Sequence, residues 1–189
     1  MSNAAVPFSP IDPEVSGSYQ LDPLHSRIGF VARHAMVTKV RGNFNEFEGT
    51  LILNAEKPAE SSAALSVQAA SVDTRSKLRD DHLRTGDLLD ADTFPQLTFT
   101  STAVEQTGDT RFRMTGDLTI RGVTRPVDID WEYGGTVKDL TGSLRSGFEG
   151  KAEIARSDFG MEFNMPLEAG GFLVSDKIVL ELDVSAVKD

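Results

Sequence analysis

From residue 18 onward, apolar and polar side chains alternate one for one in segment after segment, and a period of two dictates extended strands. The clearest segment is residues 112–120. Phe112, Met114, Leu118 and Ile120 fall on one face with Gly116 between them, while Arg113, Thr115, Asp117 and Thr119 fall on the other. Past Arg121-Gly122-Val123-Thr124, the residues Val127, Ile129, Trp131 and Tyr133 alternate with Asp128, Asp130 and Glu132, which predicts a β-hairpin. Leu97, Phe99, Ser101 and Ala103 share a face by the same pattern, as do Phe148, Gly150, Ala152 and Ile154, and again Ile178, Leu180, Leu182 and Val184. Residues 19–22, 27–34, 44–53 and 65–72 are also strand-like, for eight or more antiparallel strands in all. A helix is predicted only at residues 76–84, capped by Ser76, and its two leucines cannot cover a sheet.

The predicted architecture is therefore all-β. Eight half-apolar strands with one short helix must cover one another, and a closed antiparallel eight-stranded β-barrel does this without exposed edges. A barrel of that size is just wide enough to fill with side chains or to hold one small ligand. Small residues recur on the apolar face (Ala32, Ala69, Ala103, Gly116, Gly150, Ala152) and predict an extended hydrophobic cavity. The alternative is that the glycines bend strands at barrel corners. Tunnel-lining candidates from the alternation are Ile28, Phe30, Phe99, Met114, Phe148 and Ile154. Residues 1–17 hold three prolines and small polar residues and are predicted to be a flexible leader, with the barrel domain over 18–189.

Charge narrows the partners. The net charge of -10 repels a phosphate backbone, which argues against nucleic acid, and disfavours an anionic membrane surface in the same way. One stretch departs from this. Between Pro23 and Asn45 there is no acidic residue, while Arg27, Arg33, Lys39 and Arg41 are present with His25 and His34. Arg33 and Arg41 are candidates to meet an anionic head group, since guanidinium suits bidentate phosphate contacts. The alternative is a solvated face whose cations pair with carboxylates elsewhere.

Signatures of catalysis are missing. There is no cysteine, no Gly-x-Ser-x-Gly elbow and no phosphate-binding glycine loop. Asp158-Phe159-Gly160 spells a kinase tripeptide without the other kinase motifs. His25, His34 and His82 show no metal-ligand spacing, so no catalytic residue, metal or cofactor is expected. No run approaches the roughly 20 apolar residues of a membrane span, so no transmembrane segment is expected. The residues after Met1 lack a basic region and an apolar core, which predicts a cytoplasmic protein, or a periplasmic one if a signal was removed; Ser2-Asn3-Ala4 resembles a tag remnant.

Residues 19–34 and 37–49 resemble the opening of the YceI-like family. The resemblance continues through Ser71-Val72-Asp73-Thr74, Arg79 to Leu83, Phe94-Pro95, Phe99 to Ser101, Gly116 to Val127 and Arg156 to Met161, in order. It implies a lipocalin-like barrel with a long hydrophobic tunnel that binds, carries or stores a polyisoprenoid, either an isoprenoid diphosphate or an isoprenoid quinone. It places Ile28, Phe30, Ala32 and His34 on the inward face of the first long strand, and it admits a homodimer. Two other functions remain open: an enzyme acting on an isoprenoid or quinone through His34, Asp80 and His82, and a stress-response interaction module.

Overall fold

The computed structural model describes residues 8–189. Eleven strands follow the alternating segments: β1 (Gly17–Leu21), β2 (Arg27–His34), β3 (Thr38–Phe44), β4 (Phe47–Leu53), β5 (Ser62–Gln68), β6 (Val72–Asp73), β7 (Gln96–Gln106), β8 (Arg111–Ile120), β9 (Val123–Lys138), β10 (Leu144–Ala155) and β11 (Lys177–Lys188). The one α-helix among the described residues, α1 (Lys77–Leu83), starts where Ser76 Oγ accepts from the Arg79 N–H.

Pairing runs β1-β4-β5-β7-β8-β9-β10-β11, and β11 returns to β1, so eight antiparallel strands close a barrel. The edge of β11 is shared. Its C-terminal end pairs with β1 (Leu21 opposite Ala186), and its N-terminal half pairs with β2 (Val31 opposite Val179). β1 and β2 thus behave as one long strand broken at Pro23, and the break is tied down electrostatically. The Arg145 guanidinium, 2.7 Å from Asp22, holds the Asp22 carboxyl down at about 2, with His25 assisting. β2, β3 and β6 extend this wall past the end of the barrel.

The β8–β9 hairpin has the predicted register, with Phe112 opposite Trp131 and Ile120 opposite Val123. Its two-residue turn puts Arg121 (φ 53°) and Gly122 (φ 71°) in the left-handed region that such turns require.

Two sequence expectations are corrected by local geometry. In β7, Ser101 pairs with Gly116 but Ala103 pairs with Thr115, so Thr102 is an extra, bulged residue. The bulge exchanges the faces beyond it: Val104 is buried in the core and Ala103 is exposed. The inward glycines are not open volume either. A Cβ on Gly150 would come within 2.5 Å of the Trp131 ring, and one on Gly116 or Gly42 would collide with the Phe99 or Phe30 ring. Each of these aromatics lies flat against the wall over a glycine on the adjacent strand, which keeps its ring out of the barrel axis.

Of the predicted leader, residues 1–7 lie outside the described residues. Residues 8–16 lie against the barrel. The Ser9 N–H donates to Asp109 Oδ1 (2.8 Å) in the β7–β8 turn, the Ala55 N–H donates to Ser16 Oγ (2.9 Å), and the Tyr19 hydroxyl donates to the Val15 carbonyl (2.7 Å). Val15 is buried, so the packed structure begins ahead of residue 18.

Candidate functional site

Facing side chains of the barrel leave a central cavity of ≈ 200 Å³. Its wall comes from the inward faces of the ring strands and the start of β2. Phe112, Met114, Leu118 and Ile120 of β8 face Val127, Ile129, Trp131 and Tyr133 of β9, and Leu180, Leu182 and Val184 of β11 add to the wall. Among the described residues, only Thr50, Asn54, Ser61, Thr98 and Tyr133 bring polar oxygen or amide groups, and no charged side chain lines it. Such a wall offers dispersion and desolvation to an apolar occupant and nothing to balance a buried charge.

The two ends are closed differently. At one, Ile11 and Val15 of the N-terminal segment reach the cavity beside Asn54, Ala55 and Pro58 of the β4–β5 connection. At the other, Val72, Leu89, Phe159 and Met161 form a second core with Ile120, into which Phe30, Phe44, Leu97 and Leu118 also pack. This floor rests on Arg156, which is 5% exposed. Its guanidinium donates to the carbonyls of Ser175 (2.9 Å), Met161 (2.6 Å) and Phe163 (2.9 Å), with Val174 at 3.5 Å. Burial lowers its pKa from the free value, opposed by nearby Asp176.

One polar atom of the wall stands out. Trp131 Nε1 is buried and has no hydrogen-bond partner among the described residues. Orphaned buried N–H groups are rare, because each forfeits its solvation without compensation. The indole leans edge-on to Phe148 (centroids 6.5 Å, 84°), which in turn lies 5.4 Å from Tyr133.

Among the predicted lining residues, Ile28, Phe30, Phe99, Met114 and Phe148 border the cavity. Ala32, His34 and Ile154 do not. Ala32 lies beyond Phe30, opposite Val40, and His34 is exposed at the end of β2, bridged to Val174. Ile154 packs between the two cores instead. Arg33 and Arg41 are exposed and fall on the opposite strand face from Ile28 and Phe30. Neither Arg27, Arg33, Lys39 nor Arg41 forms an ion pair among the described residues, so the expectation of cations paired with carboxylates does not describe this segment.

Asp80 and His82 each have other side-chain partners, His34 is held only through its backbone among the described residues, and no hydrogen bond joins any two of the three. Asp80 is buried and accepts from the N–H (2.9 Å) and Oγ1 (2.6 Å) of Thr74. His82 bonds Asp87 (2.9 Å) and stacks edge-on with Phe163 at 4.6 Å. No cluster of three or more His, Asp or Glu residues suited to a metal occurs among the described residues.

A closed antiparallel barrel around an uncharged apolar cavity defines a lipocalin-like fold of the ligand-enclosing kind. The chain belongs to the YceI-like domain family, whose pattern matches residues 19–186. It is 35% identical to Protein YceI of Escherichia coli O157:H7 over 153 residues, 80% of each chain. Among solved structures it is similar to BcnA of Burkholderia cenocepacia (TM-score 0.77, 25% identity, 87% of this chain and 98% of that one). It shares its fold with a polyisoprenoid binding domain of Saccharophagus degradans (TM-score 0.67, 16% identity, 90% of this chain and 98% of that one). No helix among the described residues is long and apolar enough to cross a membrane.

Proposed function

We propose that the protein binds a polyisoprenoid in the barrel cavity and carries or stores it, and that an isoprenoid quinone fits the site better than an isoprenoid diphosphate. The observation that carries this reading is the cavity wall, which is apolar along its length and free of charge. Each CH2 taken from water contributes roughly 0.8 kcal/mol, so a few prenyl units suffice for tight binding without ionic contacts. A diphosphate drawn inside would lie unpaired in a low-dielectric interior and must stay out. A quinone carbonyl is neutral, so taking it from water costs far less than burying an ionised diphosphate. Membership in a family with a structural neighbour described as polyisoprenoid binding points the same way.

Trp131 is the single tryptophan of the chain and borders the cavity, so its fluorescence responds to an occupant there. Titration with a long-chain isoprenoid quinone is expected to quench that emission to saturation at one equivalent. A short-chain quinone with the same ring is expected to bind at least about 100-fold more weakly, from the lost prenyl burial. Equal binding of the two would show that the chain is not held in the barrel.

A further inference from the structure

The wall formed by β2 and β3 carries a second feature, unrelated to the cavity lining. The connection between them is a tight turn closed by the Val37 N–H on the His34 carbonyl (3.0 Å). Ala35 and Met36 hold its central positions at φ 49° and 62°. The turn projects past the barrel, because β2 continues beyond the start of β11. Beside it lies the 165–173 loop, joined through the Ala35 N–H to the Leu173 carbonyl (2.8 Å) and folded on itself through Leu173 N–H to Met165 O (2.9 Å). A Cβ on Gly171 would sit 3.6 Å from Met36 Cγ, so the two loops touch.

Together they expose four large apolar side chains, Met36, Val37, Met165 and Phe172, each between 53% and 74% exposed. Directly behind this tip stand exposed cations. Arg33 lies opposite Lys39 across the β2–β3 ladder, a like-charge pair that a sheet ordinarily avoids, and Arg41 follows one pleat further on the same face. None of the three forms an ion pair with a carboxylate among the described residues, in a chain of net charge -10.

An apolar tip backed by unpaired cations complements an interface that is apolar inside and anionic at its surface. We propose that the β2–β3 turn and the 165–173 loop dock the protein on an anionic phospholipid bilayer, with Met36, Val37, Met165 and Phe172 entering the head-group region and Arg33, Lys39 and Arg41 meeting lipid phosphates. The overall negative charge does not prevent this. The Debye length is about 8 Å at physiological salt, so a bilayer at the tip responds to the local charges, Arg33, Lys39 and Arg41 against the one exposed carboxylate of the 165–173 loop, Glu168, while the carboxylates farther away are screened. The proposal deepens the carrier reading on which it rests, since a polyisoprenoid must be taken from and returned to a membrane.

The test is co-sedimentation of the full chain with vesicles of phosphatidylcholine containing phosphatidylglycerol, against phosphatidylcholine alone, at low and high salt. Wild type is expected to bind the anionic vesicles, to release them with added salt and to bind neutral vesicles weakly. Met36→Asp/Phe172→Asp and Arg33→Glu/Lys39→Glu are each expected to weaken anionic-vesicle binding by at least about tenfold. Unchanged Trp131 quenching by the long-chain quinone shows that these variants fold. Absence of binding to anionic vesicles at low salt, equal binding to neutral vesicles, or variants that bind like wild type would each overturn the proposal. A self-association abolished by Met36→Asp/Phe172→Asp, without vesicle binding, would overturn it and give the surface to a second copy of the chain. Docking that fails while quinone binding stands removes this proposal alone, whereas failure of quinone binding in wild type removes the carrier reading.

Discussion

Ile129→Trp is expected to abolish binding of a long polyisoprenoid while leaving the barrel folded. Ile129 is buried on β9, faces Met114 directly across the ladder and borders the cavity beside Val127 and Trp131. Ile129 is packed in the core and also borders the ≈ 200 Å³ space, so part of an indole at this position can extend into that space. Overpacking in a filled core costs about 1–3 kcal/mol, and the open volume here keeps the variant at the low end of that range. Excluding even four CH2 groups of a bound chain removes roughly 3 kcal/mol, a loss of at least about 100-fold in affinity. Isothermal titration with a long-chain isoprenoid quinone measures the loss, and circular dichroism with thermal melting confirms the fold. Binding at wild-type strength by a folded variant would show that the ligand site lies elsewhere.

Arg156→Met is expected to destabilise the protein by about 3–5 kcal/mol, since removing a buried, fully engaged charged group strands its partners. Methionine matches the length of the aliphatic stem, so packing is largely kept and the effect isolates the guanidinium. What is lost is the set of hydrogen bonds to the Ser175, Met161 and Phe163 carbonyls, which then stay buried without donors. These carbonyls belong to the segment between β10 and β11 that carries Phe159 and Met161 into the cavity floor. For a chain of this size the expected fall in Tm is on the order of 10 °C. Arg156→Lys is expected to recover only part, because one ammonium cannot span carbonyls set around a planar fork. A melting temperature for Arg156→Met within a degree or two of wild type would show that the carbonyl cage contributes little.

Much of the fold was legible because alternation is a direct print of the pleat. The β8–β9 hairpin, the closure into eight strands, the helix cap at Ser76 and the inward placement of Ile28, Phe30, Phe99, Met114 and Phe148 all follow from period two and from the need to cover apolar faces. The misreadings have specific causes. A bulge adds one residue without any marker of its own, so strict alternation puts Ala103 where Val104 stands. Alternation assigns a face but not a height, so Ala32, His34 and Ile154 lie on the cavity side of their strands yet beyond or behind the void. Glycines on the inward face suggested empty space, whereas they seat rings from neighbouring strands. Ile11 and Val15 gave no signal, because two apolar residues among prolines carry no periodicity. Arg156 belonged to a segment that resembled the family, but only three dimensions show four carbonyls converging on one side chain.

The central claim is that a polyisoprenoid occupies the barrel, and mass spectrometry of an organic extract of the protein, purified from its native host, tests it most directly. A prenyl lipid recovered at close to one equivalent per chain, and missing from the Ile129→Trp variant prepared in parallel, is the predicted result. A clean extract from folded, monodisperse wild-type protein would contradict it.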